Sequence, residues 1–367
     1  MEKPIRVLQI MGIVESGGVE AVIRNYYRNI DKSKVQFDFV MHRGGNPDYI
    51  ADVKSMGARI YEITPYSKNI FAFTYEIYNI VKNGHYDIVH SNMNSLSGFP
   101  LFAAWLAGAR VRILHNHTTD TKAEGLRTYI KRILRPFARM FANQYWACSK
   151  LAGAWMYGKD AVESGKVTII NNAIDLSKFA FNQVTRDRLR NELDLEGKFV
   201  LGHVGRFMKQ KNHDFLIDIF AEVLKQKPEA VLLLVGEGPL KKEIEYKVAR
   251  LGISEKVKFL GVRSDVADLY NAMDAFVLPS FYEGLPVVGV EVQANGLPFI
   301  CSDQVTKEIM ISENISLIPL SIGDKYWANI VVLSSRTNID VARVSLRQAG
   351  YNILYEAERL EKLYTKC

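Results

Sequence analysis

Two glutamates eight positions apart, Glu283 and Glu291, stand in the segment Ser280-Phe281-Tyr282-Glu283-Gly284-Leu285-Pro286 and the apolar run after it. Pro286 reads as the first residue of a helix that Gly296 ends, so that helix would offer its N-terminal amides to an anion. Eight helical residues span about 12 Å, wider than the ~5–9.5 Å across which a glycosidase carboxylate pair works. The spacing suits two carboxylates gripping hydroxyls at opposite ends of an elongated ligand. A surface glutamate beside a helix-face glutamate is the other reading.

Cations for an anionic ligand stand in Gly205-Arg206-Phe207-Met208-Lys209-Gln210-Lys211-Asn212, directly after the apolar run Val200–Val204. Arg206 by bidentate contact and Lys211 as a point charge suit a diphosphate; a solvated basic loop is the alternative. Near the N-terminus, Gly17 and Gly18 lack both the Lys-Ser/Thr of a P-loop and the spacing of the dinucleotide fingerprint. They are either an anion-approaching turn or a turn that needs positive φ. In His115-Asn116-His117, His115 reads as a buried, satisfied histidine and His117 as a functional one. Neither a third ligand nearby nor any Asp-x-Asp is found in the chain. The site is therefore expected to need no metal, with Arg206, Lys211 and helix dipoles neutralising charge.

The elements that must position these residues are short apolar runs alternating with helical patterns, the mark of parallel sheets covered on both faces. The predicted strands are Val7–Met11, Phe37–Met41, Ile60–Ile63, Ile88–His90, Val111–Leu114, Tyr145–Cys148 and Val167–Ile170, then Val200–Val204, Val231–Val235, Val257–Leu260, Ala275–Leu278, Phe299–Cys301 and Leu317–Leu320. The 367 residues suit two domains. The polar stretch Asn182–Lys198 places the boundary near Phe181, giving residues 1–181 and 182–344, with a C-terminal helix of about 345–367 returning to the first. Two doubly wound α/β domains are then expected to face each other, with strand C-termini lining the cleft. Three cysteines far apart, Cys148, Cys301 and Cys367, argue for a reducing compartment. The first residues read as a strand rather than a leader, and no apolar run is long enough to span a membrane. In the stretch Lys122–Ala142, Arg127, Lys131, Arg135 and Arg139 recur every four residues. They are expected to form a cationic row opposite Leu126, Ile130, Ile133, Leu134, Phe137 and Phe141. That row is either a solvated face or a surface for anionic lipid.

Taken together, these segments resemble the retaining nucleotide-sugar glycosyltransferases of family 4, whose fold is GT-B. The landmarks are Gly17-Gly18-Val19-Glu20, Asn171 to Asp175, Gly205-Arg206 through Lys211-Asn212, Val235 to Leu240, and the Glu283 to Glu291 signature. The resemblance covers essentially the whole chain. It implies that Gly17 and Gly18 sit against the donor diphosphate, and that Arg206 and Lys211 neutralise it and the departing nucleotide. It further implies that Glu283, beside the Gly284 and Leu285 amides, binds hydroxyls of the transferred sugar, that Glu291 holds the ribose, and that His117 reaches the sugar near its reacting face. Front-face attack, with the leaving phosphate taking the acceptor's proton, would need no protein base. Ala173 stands where the family usually has glycine, and Leu285-Pro286 replaces its common Phe-Gly. Within the family the chain most resembles bacterial capsule and exopolysaccharide enzymes, which implies work in the cytoplasm or at the inner face of the membrane, a UDP-sugar donor and a saccharide or lipid-linked acceptor. Nucleic acid is not an expected partner. A nucleotide-sugar epimerase of the same fold and a non-catalytic nucleotide-sugar-binding subunit are the competing readings.

Overall fold

The computed structural model describes residues 3–14, 17–118 and 126–367, without the side chains of residues 126–128. It divides into two units, Met1–Ile174 with Asn352–Cys367, and Asp175–Tyr351.

The first unit alternates strands β1 (Ile5–Ile10), β2 (Val35–His42), β3 (Ile60–Ile63), β4 (Ile88–Ser91), β5 (Val111–Asn116), β6 (Gln144–Ala147) and β7 (Val167–Ile169) with helices α1 (Gly18–Asn29), α2 (Pro47–Ser55), α3 (Ile70–Gly84), α4 (Gly98–Leu106), α5 (Leu126–Phe141), α6 (Lys150–Tyr157) and α7 (Lys159–Glu163). Every residue of β2 and β4 is buried, as befits strands covered on both faces. The sheet runs β3-β2-β1-β4-β5-β6-β7 with parallel pairings. Its order reverses between β1 and β4, and open α/β sheets hold ligands beyond the strand C-termini at such a point. Helix α1 packs through Val22, Ile23, Tyr26 and Tyr27, two adjacent pairs one turn apart.

The second unit carries β8 (Val200–Val204), β9 (Val231–Val235), β10 (Val257–Gly261), β11 (Ala275–Leu278), β12 (Phe299–Ser302) and β13 (Ile315–Ile318), with α8 (Gln183–Glu192), α9 (His213–Gln226), α10 (Lys241–Arg250), α11 (Val266–Ala272), α12 (Val287–Ala294), α13 (Asp324–Leu333) and α14 (Ile339–Gln348). Its parallel sheet runs β10-β9-β8-β11-β12-β13, reversing between β8 and β11. Helix α15 (Ile353–Lys366) belongs to the first unit, where it packs on α1 and β2. Its Tyr364 is buried edge-on against Phe37, ring centroids 5.7 Å apart. Where the chain leaves the first unit and returns, Ile174 pairs with Asn352, and the Ile353 amide donates to the Ile174 carbonyl at 3.0 Å.

Three expectations change. The first unit ends at Ile174, not near Phe181. Residues between them belong to the second, where the Phe179 carbonyl accepts from Asn295 Nδ2 at 3.0 Å and Arg336 lies 4.5 Å over the Phe181 ring. The polar stretch after Phe181, used to place the boundary, begins with the surface helix α8 inside the second unit. The helix expected from about residue 345 breaks at Gly350, where φ is 82°; α14 therefore stays with the second unit and only α15 returns.

The cationic row on α5 is not one face. Arg135 is half-buried, donates to the Trp155 carbonyl and lies 5.2 Å over the Trp155 ring. Ala138 is buried, and the rings of Phe137 and Phe141 pack at a tilt against Phe99 and Phe102 of α4. Ile133 and Ile130, both expected on the apolar face opposite the row, are 75% and 48% exposed, and Tyr129 and Met140 are exposed with them. The reason is geometric: an every-fourth-residue row drifts on a helix of 3.6 residues per turn, turning about 120° over twelve residues. Lys131 and Arg135 are half-buried, whereas Arg139 at the end of the row is exposed. The side chain of Arg127 lies outside the described residues.

Candidate active site

Lys211 and Glu283 meet at the switch point of the second unit. The loop after β8 carries Arg206 and Lys211, the loop after β11 carries Glu283, and these are the two strands at which the sheet order reverses. Lys211 Nζ donates to Glu283 Oε1 at 2.6 Å, Ser280 Oγ donates to the same oxygen at 3.0 Å, and Gln210 Nε2 reaches Oε2 at 3.2 Å. The carboxylate is buried, and these donors satisfy both of its oxygens. Hydrogen bonds to backbone carbonyls hold the two loops together. The Phe281 amide donates to the Gln210 carbonyl at 2.9 Å, Gln210 Nε2 to the Tyr282 carbonyl at 3.0 Å, and Asn212 Nδ2 to the Pro279 carbonyl at 3.1 Å. Glu283 itself pairs with Val305 as an isolated parallel bridge.

Arg206 is exposed on a turn that rests on a second loop. The Gly205 amide donates to the Val235 carbonyl at 2.9 Å and the Phe207 amide to the Glu237 carbonyl at 3.1 Å. This close approach requires Gly236, whose φ is 136°; a Cβ there would lie 2.2 Å from the Gly205 carbonyl oxygen.

Pro286 is the N-cap of α12 rather than its first residue, with extended backbone, and Gly296 lies just past the C-cap with φ 68°. Gly284 and the buried Leu285 precede the helix. On α12, half-buried Glu291 accepts from Tyr270 Oη at 2.8 Å. Burial pushes the Glu291 carboxyl up to about 7, against the opposing pulls of the Tyr270 hydroxyl and Lys178. Sequence reasoning missed Gln210, Ser280 and Tyr270. Ser280 and Gln210 lie inside the motifs already singled out, whereas nothing near Tyr270 marks it.

In the first unit, Gly17 is the N-cap of α1 with φ −91°. The turn there does not need positive φ; a Cβ on Gly17 would instead meet the Glu20 carboxylate at 2.3 Å. Glu15 and Ser16 of that segment lie outside the described residues. His117 is half-buried and held from the loop after β4: its amide donates to Asn94 Oδ1 at 2.7 Å, and its Nε2 lies 3.0 Å from Asn92 Oδ1. Its ring stacks on His115, centroids 4.0 Å apart, and desolvation lowers it to about 4. His115 is buried as expected but not satisfied, because its Nε2 has no partner among the described residues.

The model for glycosyl transferases group 1 matches residues 185–314, and that for glycosyltransferase family 4 matches residues 16–178. The Bacillus subtilis protein EpsF, a glycosyltransferase by its name, is 33% identical over 98% of this chain and 96% of its own. The chain belongs to glycosyltransferase family 4. An Escherichia coli relative, UDP-Gal:alpha-D-GlcNAc-diphosphoundecaprenol alpha-1,3-galactosyltransferase, is 25% identical over 78% of this chain and 77% of its own. Among solved structures, Anabaena HepE in complex with UDP and glucose superposes with a TM-score of 0.82 at 20% identity, over 99% of this chain and 100% of that one. The fold is GT-B. Within this family 4 glycosyltransferase, Arg206, Lys211, Glu283 and Glu291 all lie in the group 1 match, and Gly17, Gly18 and His117 in the other.

Proposed function

We propose that this glycosyltransferase moves a sugar from a nucleotide diphosphate sugar, UDP-sugar first, to a saccharide or lipid-linked saccharide acceptor during synthesis of a bacterial surface polysaccharide. Transfer is with retention and without a metal. The observation that carries the reading is the Lys211–Glu283 contact of 2.6 Å at the sheet's switch point. A fixed ammonium there suits the diphosphate, and a carboxylate beside it suits sugar hydroxyls. The UDP named in the HepE complex and the UDP-Gal and diphosphoundecaprenol named in the E. coli relative support the donor and acceptor classes.

In the proposed step, the bond from the anomeric carbon to the β-phosphate oxygen breaks and the acceptor oxygen bonds to that carbon from the same face. The acceptor's proton passes to the leaving phosphate. Arg206 and Lys211 neutralise the charge gathering there, aided by the amides at the start of α12. Glu283, held by Lys211, Ser280 and Gln210, is committed to binding rather than proton abstraction. Glu291 takes the ribose, Gly17 and Gly18 approach the diphosphate, and His117 contacts the transferred sugar. No described helix is long and apolar enough to cross a membrane. The proposed place of work is the cytoplasm, with peripheral lipid contact through the outer side of α5.

Thermal melting with a panel of nucleotide sugars tests the donor, since a ligand that binds only the folded state raises its melting temperature. UDP-sugars should stabilise most, EDTA present. Stabilisation by none of the panel would refute the donor class, and conversion of donor alone to an isomeric nucleotide sugar would make the protein an epimerase.

A further inference from the structure

A buried chain of hydrogen bonds links His117 to the C-terminal helix. Asn92 Nδ2 donates to Gln9 Oε1 at 2.9 Å, and Gln9 Nε2 donates to Tyr364 Oη at 3.0 Å. Tyr364 Oη lies 2.6 Å from His90 Nδ1, and His90 Nε2 lies 3.0 Å from His115 Nδ1. Gln9, His90, Asn92, His115 and Tyr364 are all buried. Each link constrains the next, because a neutral imidazole carries one proton and an amide oxygen can only accept. The Asn92 amide nitrogen faces Gln9, so its oxygen faces His117 and the His117 nitrogen there must be Nε2–H. Tyr364 accepts from Gln9 and gives its own proton to His90 Nδ1. His90 then donates from Nε2 to His115 Nδ1, leaving the proton of His115 on its unpartnered Nε2.

We infer that Asn92, Gln9 and Tyr364 are positioning residues that lock His117 as the neutral Nε2–H tautomer, so that its bare Nδ1 accepts a hydrogen bond from a hydroxyl of the sugar substrate. A bare Nδ1 repels a phosphate oxygen, so this histidine serves a hydroxyl and not the diphosphate. The titratable groups beside it are the stacked His115 and, beyond that, His90. Burial holds both well below the ordinary histidine range, so they supply no competing charge near neutral pH. The tautomer is a property of the unliganded protein; the hydroxyl contact rests on the proposed function.

The test is nitrogen NMR of the full chain carrying ¹⁵N-histidine, with His117 assigned by its loss in His117→Ala. The wild type should show His117 as Nε2–H. Asn92→Asp puts a carboxylate against that nitrogen and should move the titration of His117 upward toward the ordinary range. Tyr364→Phe keeps the ring but frees the Gln9 and Asn92 amides to turn over. His117 should then show mixed tautomers, and kcat/KM should fall about fivefold, the size of one neutral hydrogen bond. Finding His117 as Nδ1–H in the wild type, or unmoved in both variants, would overturn the positioning role whatever the activity. The expected tautomer, with signals that a UDP-sugar does not shift and with undiminished kcat in His117→Ala, would uphold the lock and overturn the hydroxyl contact.

Discussion

Removing Lys211 alone leaves the Glu283 carboxylate buried without its counter-charge. Lys211→Met should therefore destabilise the protein by about 3 kcal/mol, while Lys211→Met combined with Glu283→Gln recovers most of that loss and stays inactive. Urea unfolding checks this; a double variant no more stable than the single one would mean that the pair does not hold the loop. Glu291 gives a pH dependence of defined sign. Its carboxyl is raised from 4.5 to about 7, so across that window the folded chain binds more protons than the unfolded one. This group alone then makes stability fall as pH rises from 4.5 to about 7. Ribose hydroxyls favour the ionised form, and a UDP-sugar diphosphate does not itself titrate there. Calorimetry should find UDP-sugar binding tightening several-fold between about pH 6 and 8, with Glu291→Gln weaker and flat. A wild-type affinity independent of pH would show that Glu291 is not in the donor site.

At the scale of elements, the turn bearing Arg206 depends on its neighbour. Gly236→Ala puts a methyl 2.2 Å from the Gly205 carbonyl at φ 136°. It should cost about 1–3 kcal/mol and weaken donor binding more than Gly252→Ala, which meets nothing within 4 Å. Equal binding by the two variants would detach Arg206 from that loop. Helix α5 carries exposed Tyr129, Ile133 and Met140 with exposed Arg132 and Arg139 on its outer side. Sedimentation with anionic vesicles should be salt-sensitive and reduced by Ile133→Glu with Arg139→Gln; no difference from wild type would leave α5 a solvated helix. Each predicted strand is present, because continuous apolar runs such as Val231–Val235 have little other place to go than a sheet covered on both faces. The last strand lies two residues earlier than expected, Pro319 standing just after it. The outer side of α5 was not legible from a four-residue recurrence, since Arg135 folds onto Trp155, whose position is set by the tertiary structure.

Across the whole molecule, the chemistry-bearing residues were legible where motif and strand end coincide, as at Gly205–Lys211 and Ser280–Glu291. Their partners were not. Gln210 and Lys211 are 73 and 72 positions from Glu283, and Tyr364 is 355 from Gln9. Only the wound topology brings such residues together, and no local pattern encodes it. The return of a C-terminal helix to the first unit was expected, but that α15 alone returns hangs on the break at Gly350. The central claim is transfer from a UDP-sugar with retention and without a metal. Its most direct test is proton NMR of the glycoside formed from an α-linked UDP-sugar and a synthetic lipid-linked saccharide in EDTA. The account predicts an α-glycoside with the small anomeric coupling, formed at an undiminished rate. A β-glycoside, or activity lost to EDTA and restored by Mg²⁺ or Mn²⁺, would contradict it.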